Sequence, residues 1–367
     1  MKLRVLILSP FHGHSSHAAW AQGYREHSRH EIVMATLPDR AWAWRLKGGS
    51  EALTRLAAEV GPVDALIATS LTSLDSFFGL CRRSPLAAVP AVYYMHENQL
   101  TYPIRPGGKR DSQLILRQFH SQLAADAVWW NSDFNRRSWL KQLPNFLKRF
   151  PDHQGVDRCE ELEAKSKVMP VGLSLPPLTP CQESPSTHRL IWSQRWEWEK
   201  GTDRFEALLR KFEPEVPFEV ALLGSISAGD ADRRRGLEDF IKDKLVHAGW
   251  CEREEYQKLV TSGTFTVSVA RHEFFGISVL EAAAQGLVPF LPRDLSYPEI
   301  IPEDLHSQLL YKSLKELYRK IKRFLAEPVD QELRRRVQEL AYGYHWTRVA
   351  PLYDQELEEL ARSVNQT

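Results

Sequence analysis

Short apolar runs alternate with stretches of helical period along the whole chain, and this alternation restricts the fold more than any other feature. RVLIL, HEIVMATL, VDALIAT, AVYYM and AVWWNS read as strands in the first half, and RLIWS, FEVALLG, VHAGW, FTVSVA and VPFLP in the second. Amphipathic stretches such as SQLILRQFHSQLAA and TDRFEALLRKF lie between them. Continuously apolar strands cannot leave one face in water. Separated by helices, they build parallel sheets covered on both sides. The expected fold is therefore α/β and doubly wound.

With 367 residues the chain is too long for one ordinary core. The alternation breaks between Pro170 and Pro185, where Pro176, Pro177 and Pro180 also fall. Proline fixes φ and removes a donor, so this stretch reads as a semi-rigid connector. The expected organisation is one Rossmann-like domain over 1–172, a linker over 173–188, a second Rossmann-like domain over 189–340 and a terminal helix over 341–367. A break at Gly343-Tyr344-His345-Trp346 either returns that helix to the first domain or separates two surface helices. A central cleft between two such domains is the expected ligand site, because open α/β sheets bind ligands at the carboxyl ends of their strands.

Composition narrows the class. Apolar residues form 43%, too many for a disordered chain, and 48 basic residues against 47 acidic ones leave no net charge that would by itself mark a polyanion partner. Cys81, Cys159, Cys181 and Cys251 show no metal-ligand spacing and suit a reducing compartment. No window approaches the roughly 20 apolar residues of a membrane span, and the opening strand is too short for a signal-peptide core. A cytoplasmic protein is expected.

The chemistry concentrates in RHEFFGISVLEA. Arg271-His272-Glu273 follows the strand FTVSVA, and GISVLEAAAQG reads as a helix stopped by Gly286. The helix start supplies free amides and the positive end of the dipole, which favour an anion. Glu273 is then placed to accept hydrogen bonds from ligand hydroxyls, Gly276 to admit a phosphate to the backbone, and Glu281 to bind hydroxyls further along. In LIWSQRWEWEKGTD, Arg195 and Lys200 follow a strand and precede a helix, with Gly201 at the turn. Two cations there suit the charge of a departing nucleoside diphosphate.

Arg195 with Lys200-Gly201, and Glu273-Phe274-Phe275-Gly276 with Leu280-Glu281-Ala282, resemble the nucleotide-sugar signature of glycosyltransferase family 4. YYMHENQLTYP, WWNSDFNRRSWL, FPDH, RHEFFG and RDLSYPEIIP sharpen this, being similar to the tRNA-queuosine α-mannosyltransferase family. The resemblance covers nearly the whole chain. It implies a GT-B fold, a retaining transfer, GDP-mannose as donor and the cyclopentenediol of queuosine in tRNA as acceptor. It further implies that Glu273 meets the transferred sugar, Glu281 the ribose, and Arg195 and Lys200 the diphosphate, with Phe275, Gly276 and Ile277 supplying backbone around the donor. His96 is implied near the sugar and the acceptor, either as a base or as a positioning group. No cofactor or metal is implied, the basic side chains and helix amides replacing a divalent cation. The first loop, PFHGHSSH, departs from the family's aromatic-Gly-Gly-Ser-His: His12 precedes Gly13, and extra residues precede His17. Gly13 still allows backbone to approach a phosphate or sugar.

A tRNA acceptor requires cations. Arg40, Arg45 and Lys47 around Trp42 and Trp44, then Arg105 to Arg110, Arg136-Arg137 and Lys141 to Arg149 are candidates, together with Asn131. Trp42, Trp44 or Trp139 suits stacking on an unpaired base. Arg233-Arg234-Arg235 reads as a solvated helix face, and Gly249-Trp250 as a candidate lining for the nucleobase. Two other classes fit the same residues: a family 4-like glycosyltransferase using a glycan, lipid or small-molecule acceptor, and a non-enzymatic two-domain protein binding RNA or a ligand.

Overall fold

A computed structural model describes residues 1–178, 187–212, 216–226 and 231–364. Pro180, Cys181 and Pro185 of the expected connector lie outside the described residues. The chain divides into two compact units: Met1–Ser174 with the segment from Tyr344 onward, and Leu175–Gly343.

The first unit holds β1 (Arg4–His12), β2 (Glu31–Pro38), β3 (Ala65–Thr69), β4 (Ala91–Met95), β5 (Ala127–Trp130) and β6 (Ser166–Val168) in the order β2-β1-β3-β4-β5-β6. The second holds β7 (His188–Trp192), β8 (Phe218–Leu222), β9 (Leu245–Ala248), β10 (Phe265–Val267), β11 (Val288–Pro292) and β12 (Leu310–Tyr311) in the order β12-β11-β10-β7-β8-β9. Every strand pair is parallel. All five residues of β3 and of β4 are buried, as two-sided helix cover demands. Pattern reading misses β6 and β12. The first has three residues, two of them exposed, and the second has two, too few to show a period.

The terminal helix Trp346–Val364 is built into the first unit by groups along its length. Trp346 fits where side chains are absent: a Cβ at Gly23 would stand 1.9 Å from its Nε1, and one at Gly172 would stand 2.3 Å from its ring. Asp354 is buried and accepts from Tyr24 Oη at 2.8 Å, Ser28 Oγ at 2.6 Å and the Arg29 amide at 3.0 Å. Tyr353 Oη lies 2.9 Å from Tyr94 Oη and donates to the Pro170 carbonyl at 2.7 Å. A buried carboxylate needs such partners to offset its desolvation, and Asp354 has three.

In the second unit, the helix Ile277–Ala284 ends in a Schellman closure. Gly286 has φ 78°, its amide donates to Ala283, and the Leu287 amide donates to Ala282. The buried Arg334 donates to the Gly286 carbonyl at 3.0 Å, and Gln338 to the Ala284 carbonyl at 3.1 Å. A cation at the negative end of this helix, locked by Gln331–Tyr342, fixes the element whose other end faces the candidate site.

Candidate active site

β7 and β10 are neighbours in the second sheet, so the loops that follow them lie side by side at its carboxyl edge. After β7 comes the turn Trp198–Lys200, closed by Gly201 at φ 75°. A Cβ on Gly201 would meet the Val269 carbonyl oxygen at 2.2 Å, so both the dihedral and the close approach to β10 require glycine. After β10 come Arg271 to Glu273. Arg271 grips Asp203 with both guanidinium nitrogens, at 2.7 and 2.5 Å, donates to the Trp198 carbonyl at 3.0 Å and lies over the Trp198 ring at 4.9 Å. The Arg271 amide donates to the Glu199 carbonyl at 2.8 Å. The two loops are thus clasped to each other at several points.

This clasp sets Lys200 Nζ 2.8 Å from Glu273 Oε2, with both side chains 16% exposed. Burial alone would raise the Glu273 carboxyl. The Lys200 charge and hydrogen bond, with the Phe275 amide at 3.4 Å, outweigh it and hold the group below the usual range. Glu273 therefore stays ionised at neutral pH, an acceptor for hydroxyls. Gly276 caps Ile277–Ala284 at φ 106°, and no side chain caps the helix amides. A Cβ at Gly276 would press to 3.1 Å on Tyr297. Glu281 lies one turn further along, 3.5 Å from Tyr256 Oη, and burial raises its carboxyl, with Arg253 and Tyr256 only partly compensating.

Lys200, Glu273, Gly276 and Ile277 therefore meet at one helix start. Phe275 is buried, and its amide points to Glu273. Arg195 is 58% exposed and pairs with Glu197 at 3.1 Å. Sequence reasoning overlooked Glu197 and Glu199. Burial first, then the hydrogen bond and charge of Glu199, push the Glu197 carboxyl up to about 7. Two acids separated by one residue in a turn read as solvent-facing, and only the fold shows them half-buried beside Arg195. Arg234 is a correction. It is not part of a solvated face: buried at 1% exposure, it donates to the Gly224 carbonyl at 2.8 Å and to Glu238 at 2.7 Å.

In the first unit, His96 follows β4 and is buried against Trp20, Tyr94 and His17, with ring centroids at 4.9, 4.5 and 4.1 Å. Burial, then the neighbouring His17, hold its pKa well below the ordinary histidine value, so it is neutral. Asn131 is a correction among the RNA candidates. It is buried, donating to the His96 carbonyl at 2.7 Å and accepting from Asn135 at 2.9 Å, so it positions the His96 loop. Gly13 is exposed, and a Cβ there would collide with the Asp39 carboxylate at 2.3 Å, so glycine lets Asp39 close on this loop. Trp139 is buried and offers no stacking face. Arg136 and Arg137 share Asp133 at 2.7 Å each, and Arg110 donates to the Gln99 carbonyl at 2.5 Å. Arg105 also has a partner within the chain. Arg45 stands on the helix Trp42–Val60, beside the exposed Trp42 and Trp44.

Two parallel six-stranded sheets, with cations and carboxylates at a helix start after the strand ends, define a glycosyltransferase of the GT-B class. Sucrose-phosphate synthase from Thermosynechococcus elongatus has the same fold, with a TM-score of 0.73 at 15% identity over 98% of this chain and all of that one. Residues 4–173 match the family model described as tRNA-queuosine alpha-mannosyltransferase N-terminal, and 184–344 match glycosyl transferases group 1. A tRNA-queuosine alpha-mannosyltransferase of Drosophila melanogaster is 33% identical over 339 residues, 89% of this chain and 88% of that protein. A GDP-mannose:cellobiosyl-diphosphopolyprenol alpha-mannosyltransferase of Xanthomonas oryzae is 26% identical over 46% of each chain. The chain belongs to the tRNA-queuosine α-mannosyltransferase family. Among the described residues, no helix is long and apolar enough to cross a membrane.

Proposed function

We propose that this enzyme transfers mannose from GDP-mannose to the cyclopentenediol of queuosine in tRNA, with retention of configuration and without a metal ion. The observation that carries this is the Lys200–Glu273 pair at the amino end of Ile277–Ala284, in a chain whose relative acts on tRNA queuosine. A GDP-mannose donor is supported by the name of the Xanthomonas relative.

In this mechanism Glu273 accepts hydrogen bonds from the sugar hydroxyls and Glu281 from the ribose. Lys200, Arg195 and the amides of Ile277 and Ser278 stabilise charge on the leaving diphosphate. That charge develops only as the anomeric bond breaks, so these groups bind the transition state more tightly than the ground state. The acceptor oxygen attacks on the face that the diphosphate leaves. His96, neutral, orients hydroxyls. Trp250, at 69% exposure after β9, offers a stacking face for the base.

The tRNA contact centres on the end of β2. Trp42 and Trp44 are 43% and 63% exposed, flanked by Arg40, Arg45 and Lys47. Stacking of a loop base on such a ring contributes about 1–3 kcal/mol. Incubating the protein with queuosine-containing tRNA and a panel of sugar nucleotides, then weighing the released nucleosides, tests the reading. The expected product is queuosine enlarged by one hexose, from GDP-mannose alone. No enlargement with any donor overturns it.

A further inference from the structure

The helix Ala231–Phe240 carries three consecutive arginines, and the fold treats them differently. Arg233 and Arg235 lie at its surface, paired with Glu206 at 3.8 Å and with Asp232. Arg234 is turned inward and buried. The transfer mechanism does not use it. Arginine is among the residues least often buried whole, so an arginine enclosed beside a sheet calls for a role that its shape serves.

Its guanidinium is directed at the end of β8. Nη1 donates to the Gly224 carbonyl at 2.8 Å and Nη2 to the Leu222 carbonyl at 3.3 Å. Nε donates to Glu238 at 2.7 Å, and that carboxylate offsets the buried charge. The same guanidinium lies 5.6 Å from the centre of the Trp196 ring. Trp196 is itself buried, edge-on to Trp192 and Phe205 with centroids at 6.4 and 6.2 Å. Arg234 therefore touches both the loop after β8 and the loop after β7.

Those two loops enclose the backbone of Arg195. β7 and β8 are sheet neighbours, and their pairing continues past the strand ends. The Leu223 amide donates to the Trp192 carbonyl at 2.8 Å, and the Trp196 amide to the Ser225 carbonyl at 2.7 Å. Gly224 makes the fit possible: a Cβ there would stand 1.7 Å from the Gln194 carbonyl oxygen and 3.1 Å from Arg195 Cα. Gln194 and Trp196 are thus pinned on either side of Arg195, while the Arg195 side chain stays 58% exposed. An exposed cation on a fixed backbone is preorganised for an anion that arrives from solvent, because little ordering remains to be done on binding.

We propose that Arg234 is a positioning residue for donor recognition: by holding the Gly224 carbonyl and the Trp196 ring together, it sets the backbone from which Arg195 meets the diphosphate. This rests on the transfer reading above in one respect, that Arg195 contacts the donor. Arg234 acts through Arg195 and not on the substrate. Lysine is no replacement, since a single ammonium has no planar fork with which to reach two carbonyls and a carboxylate and still lie against the indole.

A double-mutant cycle between Arg234→Lys and Arg195→Ala tests this. Wild type, R234K, R195A and the double variant are compared for kcat/KM in transfer to queuosine-containing tRNA, for GDP-mannose Kd and for melting temperature. R234K is expected to lower kcat/KM and donor affinity about five- to tenfold with Arg195 present, and by less than about twofold without it. The melting temperature should fall equally in both backgrounds, because the packing that is lost does not include the Arg195 side chain. Equal losses of donor affinity in both backgrounds overturn the proposal and leave Arg234 a structural residue. So does an R234K variant within about twofold of wild type in kcat/KM and Kd. Glu238→Gln, which weakens the anchor of the guanidinium without removing it, enters the same cycle if R234K does not fold. Its loss should be about threefold with Arg195 and absent without it, and equal losses again overturn the proposal. If wild type leaves queuosine untouched, the acceptor assignment alone falls, and the cycle is read on the Kd of GDP-mannose, GDP or UDP, whichever wild type binds. Binding of none of them ends both readings. An R195A variant with unaltered transfer and donor affinity sinks this inference while transfer itself stands.

Discussion

At the carboxyl edge of the second sheet, charge meets charge: Lys200 on Glu273, Arg271 on Asp203, Arg195 on Glu197. At the same edge of the first sheet, several buried polar atoms have no partner: the Ser9, Thr69 and Ser70 hydroxyls, His17 Nδ1 and His96 Nε2. Both edges end parallel strands of similar burial, so the difference lies in side-chain choice and not in backbone architecture. Paired charges keep a low-dielectric site ionised and poised for an anion. One topology used twice thus carries two different sets of side chains, and removing groups from either edge should have distinguishable consequences.

The largest effect is expected from Lys200→Ala. It removes charge from the leaving group and strands the half-buried Glu273, so transfer should fall by about 10²–10³ in kcat/KM. Arg195→Ala should follow at about 10², since Arg195 is already half-engaged with Glu197 and stands more in water. Steady-state transfer assays read both. An R195A rate within about twofold of wild type removes Arg195 from the mechanism, and a K200A rate near wild type breaks the contrast between the edges.

Backbone shape is the next target. Gly201 and Gly107 have nearly equal dihedrals, φ 75° and 83°, but a Cβ at Gly107 meets nothing within 4 Å while one at Gly201 strikes the Val269 carbonyl at 2.2 Å. Gly107→Ala should lose about 1–2 kcal/mol of stability from the left-handed dihedral alone. Gly201→Ala should lose about 3 kcal/mol, strain and collision together, and should weaken donor binding by displacing Lys200. Urea unfolding of the two variants compares them directly. Equal losses would show that the β7 and β10 loops are not tightly clasped.

How much of this was legible follows physical lines. Strands such as AVYYM and FTVSVA announce themselves because both faces are buried, whereas β6 and β12 are too short to carry a period. Lys200 and Glu273 could be flagged individually as strand-end residues. Their 2.8 Å contact depends on β7 and β10 being sheet neighbours, although 73 residues separate the two side chains. His17 and Glu97, hydrogen-bonded across 80 positions, are further beyond reach. Arg234 misled for a different reason. Arginine on a helix is usually solvated, and here it is buried to satisfy carbonyls at a strand end. Asn131 offered a polar side chain at a strand end with no sign that a neighbouring loop would consume it.

The smallest effect sharpens the contrast through pH. Glu197, with a pKa pushed up to about 7 by burial and Glu199, is neutral on the acidic side of that value and ionised above it. A diphosphate esterified at both ends has no proton to lose in this range, so the change belongs to the protein. Above about pH 7 the donor edge gains one negative charge beside Arg195, which both repels the diphosphate and occupies the cation. Donor affinity should therefore fall as pH rises, by roughly three- to tenfold between about pH 6 and pH 8 for an interaction of about 1 kcal/mol in a partly solvated site. Folding stability should move the same way. A carboxyl whose folded pKa is raised binds its proton more tightly when folded, and that contribution is lost as pH climbs through about 7. Glu197→Gln fixes the neutral form and should flatten the donor profile at its acidic-side affinity. Calorimetric titration of GDP-mannose across this range reads the slope for both proteins. A slope that survives in E197Q would assign the titration to another group, and the donor edge would then be no more sensitive to protons near neutrality than its charge pairs alone dictate.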